Sequence, residues 1–250
     1  MRLLLTTLTM MLAWALPHPA IAQVPAPAAS FSAQQRDEII EIIRQALRTD
    51  PSLLRDAITA LQQDEGRRQE TAGRGAISES AQALTRTPGD PVAGNPNGDV
   101  TVVEFYDIRC PYCRRMVPVV ADLLKRDPNV RFVYKDFPIL GPSSMVAARA
   151  VLAAHKQGGY LKMHAVLMTG APSLDQDGLR AATLRAGLDW ERLQKDMADP
   201  EIQARINANL ALGKKLAIQG TPAYVIGGQM LPGAVDLPDL MAAIAEARRK

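Results

Sequence analysis

Apolar residues fall along this chain in runs of different period, and each period predicts a different element. The first run, "LLLTTLTMMLAWAL", is a solid apolar block between Arg2 and the small-residue run "AIA". It is shorter than the roughly 20 apolar residues of a spanning helix, and Pro17, His18 and Pro19 break the chain just after it. A positive start, a short apolar middle and small residues before a cut make a secretory signal. Residues 1–22 are expected to be removed after Ala22, leaving "QVPAPAAS" as an extended Pro/Ala tail.

Helical spacing comes next. In "SAQQRDEIIEIIRQALRTD" Ser32 is placed as an N-cap, and Ile39, Ile43, Ala46 and Leu47 recur at helical intervals. Ile40 and Ile42 widen that stripe. A second helix, "DPSLLRDAITALQQ", has Asp50 as N-cap, Pro51 at N1 and the apolar set Leu54, Ala57, Ile58 and Leu61. Helices this short are marginal alone, so residues 23–63 call for a partner surface. Residues 64–81 form a polar, charged, glycine-containing stretch, a linker or a fraying helix.

Beyond it the period changes again. A short edge strand is expected around Leu84, then turns at Pro88-Gly89, Asn95-Pro96 and Asn97-Gly98. "VTVVEFY" and "NVRFVYKDFP" read as strands from their β-branched and aromatic content. Between them "PYCRRMVPVVADLLKRD" reads as an amphipathic helix bent by Pro118. Residues 142–215 read as wholly helical. The chain then returns to strand at Ala223–Ile226, turns at a Gly-Gly pair, and closes with a helix over about Leu237–Arg249. This order is α/β, and too compact for a six-stranded doubly wound sheet.

Composition adds little. The formal net charge is +3 over 250 residues, and no basic block is interleaved with aromatics, so nucleic acid is excluded as a partner. Cysteine usage says more. The chain holds two cysteines, in "YDIRCPYCRRM", and export would place them where disulfides persist.

Cys110 follows a strand and precedes Pro111, which puts it at a helix N-cap. The backbone N–H groups of Tyr112 and Cys113 would then point at its sulfur, and the positive helix end would favour a thiolate. Arg109, Arg114 and Arg115 add charge of the same sense. Cys113, one turn in, is the more protected thiol. A zinc site would need two more ligands; His155 and His164 both lie in the helical block and read as surface or packing histidines. A structural staple closing so small a loop would stabilise little. Redox chemistry fits best, while two soft thiolates also suit Cu(I).

Three motifs in order, "VTVVEFYDIRCPYC", "YKDFPILG" with "AARAVLAA", and "GTPAYVIGG", resemble the thioredoxin-fold, Dsb-type disulfide oxidoreductases of the DsbA family, in particular its ScsC/Com1-like branch. The resemblance implies a thioredoxin-like domain over 82–250 with an all-helical insertion at 142–215, preceded by an N-terminal helical oligomerisation segment. It implies a redox-active Cys110–Cys113 disulfide, and a cis Pro222 facing it, with Thr221 offering backbone to an extended substrate and Tyr112 beside them. It also places Glu104 beneath the thiols as proton acceptor for Cys113. Lys135, on the adjacent strand, is the candidate partner of Glu104. No cofactor or metal is called for.

The function so implied is thiol–disulfide exchange in the periplasm with isomerase or reductase character. Clients are unfolded or wrongly bridged exported proteins, and a membrane thiol-redox partner recycles the dithiol of a homo-oligomer. The alternatives are a monomeric DsbA-type oxidase and a copper-binding thiol protein.

Overall fold

The computed structural model describes residues 31–170 and 173–249; the leader 1–22 and the Pro/Ala tail lie outside the described residues. The chain divides into two compact units between Ala60 and Leu61. The first holds α1 (Ala33–Thr49) and the opening turns of α2 (Ser52–Glu79). Ser32 caps α1 through a capping box with Gln35. No residue of α1 is buried: Ile40, Ile42 and Ile43 are half or more exposed, as are Leu53 and Leu54 at the start of α2.

Of the two readings of residues 64–81, linker or fraying helix, the structure shows helix almost throughout. Its charges sit at helical spacing: Asp64 binds Arg67 and Arg68, and Glu70 binds Arg74 at 2.6 Å. Such i,i+3 and i,i+4 pairs support the polar stretch of α2 between Leu61 and Ile77. The expected strand at Leu84 is likewise a short helix, α3 (Ala81–Thr85). Two of its carbonyls, Ala83 and Thr85, accept hydrogen bonds from Lys135 Nζ and Arg131 Nη1, both at 2.7 Å. Cations at a helix C-terminus satisfy groups a helix cannot pair itself.

The sheet runs β1-β3-β2-β4-β5. Its centre is β2 (Val100–Tyr106), parallel to β3 (Val130–Asp136) through the crossover helix α4 (Pro111–Arg126) and antiparallel to β4 (Ala223–Ile226). The true edge strand is β1 (Val92–Gly94), against β3; β5 (Gln229–Pro232) closes the other side and α10 (Leu237–Arg248) follows it. Between β3 and β4 the described residues form five helices: α5 (Pro142–Lys156), α6 (Tyr160–Gly170), α7 (Gln176–Arg185), α8 (Trp190–Asp196) and α9 (Pro200–Lys215). This is a thioredoxin fold, with the helical insertion where the motifs placed it. Helix α9 comes so close to the sheet that a Cβ on Gly213 would stand 2.3 Å from the Phe137 ring.

Strand alternation sorts the side chains onto two faces. Val102, Tyr106, Phe132, Tyr134 and Tyr224 pack with α4, α5, α6 and α10, whereas Val103, Phe105, Val133 and Val225 pack with Ile77, Leu84 and Ile218. Glu104 stands opposite Tyr134 in the parallel register, and Lys135 opposite Phe105. The expected Glu104–Lys135 pair is therefore not formed, because the two side chains leave the sheet on opposite faces. Lys135 instead binds Asp90 at 2.5 Å, both side chains being at most 2% exposed, and Arg205 reaches the other Asp90 oxygen at 3.0 Å. Burial pushes the Asp90 carboxyl up and the Lys135 ammonium down, and each charge offsets the other's desolvation.

Removing one member of such a pair leaves a buried charge, at a cost of about 3 kcal/mol. Lys135→Met should lower the unfolding free energy by that order in urea titrations followed by circular dichroism. Adding Asp90→Asn to it should restore most of the loss. A single variant as stable as wild type would show that the pair does not anchor the α3 segment.

Candidate active site

The thiols stand where β2 hands over to α4. Cys110 is the N-cap of α4 and Pro111 its first residue, as the sequence suggested. Both cysteines are free thiols and buried, Cys110 at 3% and Cys113 at 1% exposure. The expected contact between the Cys110 sulfur and the helix N–H groups is not made: the side chain does not cap α4. A protonated thiol is a donor, and this one donates to the Thr221 carbonyl at 3.2 Å. The Thr221–Pro222 bond is cis, as the motif implied.

One carboxylate fixes this loop. Asp107, buried at 2% exposure, accepts from the Arg109 N–H at 2.8 Å with Oδ1, and from the Ile139 and Leu140 N–H groups at 3.0 and 3.1 Å with Oδ2. Its carbonyl accepts from Cys110 N–H at 3.0 Å. The loop before the thiols is thereby stapled to the loop after β3. Ile139, Leu140 and Tyr112 are exposed beside it, and the Arg115 guanidinium lies 4.6 Å from the Tyr112 ring centre.

Glu104 lies on β2 beneath Cys113. Burial raises its carboxyl to about 7, against the hydroxyl of Tyr224, which donates to Oε1 at 2.8 Å and favours the charged form. Burial also drives the Cys113 thiol well above its ordinary value, and the Glu104 charge adds to this. The two groups are therefore coupled: a proton on Glu104 eases ionisation of Cys113, and a charge on Glu104 opposes it. Nearby a second acid, Asp136, accepts from Tyr106 at 2.7 Å and Tyr160 at 3.1 Å and is also raised to about 7 by burial.

Of the residues singled out from sequence, Cys110, Cys113, Glu104, Tyr112, Thr221 and Pro222 meet at one end of the sheet; Lys135 does not. Sequence reading missed Asp107, Tyr224 and Asp136. Asp107 was legible, since an Asp bonded to the N–H two residues on is an Asx turn. Tyr224 was not, because its meeting with Glu104 is a cross-strand pairing set by register.

The DSBA-like thioredoxin domain family matches residues 101–245. This chain belongs to that family. It is similar to a thioredoxin-like oxidoreductase from Silicibacter pomeroyi DSS-3, at 46% identity and TM-score 0.66 over 68% of this chain and 98% of that one. It is also similar to the catalytic domain of Proteus mirabilis ScsC, at 32% identity and TM-score 0.64 over 71% and 99%. Among curated relatives, a Na(+)/H(+) antiporter NhaA 1 of Salinispora arenicola is 32% identical over 160 residues, 63% of this chain. This DSBA-like chain spans about a quarter of that relative's length (24%), and among the described residues no helix is long and apolar enough to cross a membrane.

Glu104 and Asp136 bind protons more tightly folded than unfolded, from ordinary values of 4.5 and 3.8 up to about 7. Their contribution to stability is thus fully present below those ordinary values and lost as pH rises through about 7. Glu104→Gln should flatten the decline between about pH 4.5 and 7 and raise stability at pH 8 by on the order of 2 kcal/mol, measured by urea unfolding of the reduced protein. Tyr224→Phe, which strips a hydrogen bond from the charged form, should steepen it. Equal pH profiles in wild type and Glu104→Gln would mean that the acid is not raised.

Proposed function

We propose that this DSBA-like chain is an exported thiol–disulfide oxidoreductase, acting in the periplasm on proteins whose disulfides are absent or wrong, with isomerase or reductase character. The observation that carries the reading is the asymmetry of the two thiols. Cys110 sits at a helix start against the Thr221 carbonyl, whereas Cys113 sits deeper, beside an acid poised near 7. One thiol is placed to attack and the other to resolve.

In the reducing direction the Cys110 thiolate attacks a client disulfide, one client sulfur leaves, and a mixed disulfide forms. Cys113 then gives its proton to the Glu104 carboxylate and attacks the Cys110 sulfur. The Cys110–Cys113 bond forms and the second client sulfur leaves, so the client gains two electrons and the enzyme loses two. Run backwards, the same steps oxidise a client dithiol. Direction follows the potential of the pair against its recycling partner, a membrane thiol-redox protein in this reading. The client strand lies along Thr221 and Pro222 by backbone pairing, next to Tyr112, which reads no particular sequence.

Isomerase character rests on the N-terminal helices. Their isoleucines and leucines are exposed, and large apolar groups left on a surface mark an interaction site. Self-association through it gathers several thiol pairs around one client and raises their local concentration.

Two outcomes test the scheme. Cys113→Ala should accumulate mixed disulfides with scrambled ribonuclease on non-reducing gels, and Cys110→Ala should not; accumulation in both would remove the assigned roles. Deleting residues 23–63 should give a monomer by light scattering that still reduces insulin but loses most of its unscrambling activity. Full-length protein that is already monomeric at micromolar concentration would dismiss the oligomeric reading.

A further inference from the structure

Backbone pairing at Thr221 is blind to a client's side chains, but the surface around the Cys110 sulfur carries charge of one sign. Arg109, Arg114 and Arg115 all lie within five residues of Cys110 along the chain. None of the three forms an ion pair among the described residues. The segments that meet at the site, 108–118, 137–144 and 217–222, contain no Asp or Glu. The nearest acid along the chain, Asp107, is buried and gives its oxygens to backbone N–H groups.

The three arginines are held differently. Arg114 is half-buried, and its Nε donates to the Ile108 carbonyl at 3.4 Å. Arg115 is exposed and sits over the Tyr112 ring, and its guanidinium makes no hydrogen bond or ion pair among the described residues. Tyr112 and Arg115 are three residues apart on α4 and so share one face of the helix that Cys110 opens. The ring holds the guanidinium in place while its N–H donors keep no oxygen partner. A carboxylate is the planar acceptor that matches such a fork.

An apolar counterpart lies close by. The Asp107 carboxylate takes the N–H groups of Arg109, Ile139 and Leu140 together, which makes the three backbones neighbours. Leu140 is 48% and Ile139 38% exposed. In an extended client, side chains alternate between two sides, and residues two apart lie on one side about 7 Å from each other. A client cysteine aimed at Cys110 therefore aims its second neighbours at the same surface and turns its immediate neighbours away.

We infer that this surface selects clients by their second neighbours: a carboxylate two residues from the attacked cysteine is received by Arg115 on Tyr112, and an apolar side chain on the other flank seats on Ile139 and Leu140. The inference rests on the reading above that Cys110 attacks client disulfides, and it names the clients. A basic segment would set like charges against each other, so charge complementarity sorts clients before any bond is made. Any effect of the arginines on the Cys110 thiolate is common to all clients, whereas a clamp shows as a difference between clients.

The test mixes reduced full-length protein with synthetic peptides, each carrying one cysteine as its thiopyridyl disulfide, and follows thiopyridone release by absorbance. In that step the Cys110 sulfur bonds the peptide sulfur, and thiopyridone leaves with the old bonding pair and a proton from solvent. Each rate is divided by that of the same peptide with dithiothreitol, which removes the peptide's own reactivity. At low ionic strength a Glu at the second position on one flank should raise the corrected rate about fivefold over Gln there, and Lys should lower it. A Glu immediately beside the cysteine should change it less than about twofold. The Glu-to-Gln ratio should fall to near one in Arg115→Ala, and in wild type at about 1 M salt, where charges are screened within about 3 Å. Arg115→Glu should place Lys ahead of Glu. A Leu on the other flank should react faster than Ser, and Leu140→Ser should remove that gain; a gain that persisted would overturn the apolar half of the inference. A wild-type ratio of one, a ratio unchanged in Arg115→Ala, or equal gains from adjacent and second-neighbour Glu would overturn the clamp and leave Cys110 as the nucleophile. Peptides that react no faster with the protein than with dithiothreitol would remove the oxidoreductase reading as well.

Discussion

A single carboxylate, that of Asp107, holds three backbone N–H groups from two different loops in a place closed to water. The chain after β2 must stop its ladder, seat a thiol at a helix start and begin that helix within four residues, and the turn leaves the Arg109 N–H free of any ladder. Asp107 takes that donor with one oxygen and ties the turn to the loop after β3 with the other. A charge-assisted acceptor of this kind is about twice as strong as a neutral one. The positions of Cys110, of Tyr112 and of the exposed Ile139 and Leu140 all follow from it.

Below that staple the protein keeps three buried acids, and it treats each differently. Asp90 is met by two cations and locks the segment before β1 onto the sheet. Asp136 is met by two tyrosine hydroxyls, in a cluster that joins β2, β3 and α6. Glu104 receives a single hydroxyl. Burial costs a carboxylate more the fewer donors it has, and the two acids met by hydroxyls alone, Glu104 and Asp136, are both raised to about 7.

How much of this could be read from the sequence depends on the range of the interaction. The strands at Val100 and Val130, the helix opening at Pro111 and the helical block at 142–215 come from local pattern, and local pattern was sufficient. So was the placement of Cys110 at a helix start. Residues 64–79 read equally as linker or fraying helix, because charges that pair along a helix also solvate a coil. Leu84 misled because α3 is held by Lys135 and Arg131, some fifty residues away. Glu104 and Lys135 both looked out of place in buried strands; that they point away from each other is fixed by a register no single strand contains. Tyr224 was hidden for the same reason. The three motifs reached further than periodicity did, because they carried the third dimension with them.

One hydrogen bond has a consequence for how the enzyme waits. The Cys110 thiol is parked on the Thr221 carbonyl, the acceptor that the proposed scheme gives to the backbone of an extended client. In that scheme seating a client and releasing the nucleophile are the same event. Under that scheme the thiol is sheltered while idle and armed by the arrival of its target, so that a small oxidant unable to pair with the backbone would meet a guarded sulfur and a polypeptide a bare one.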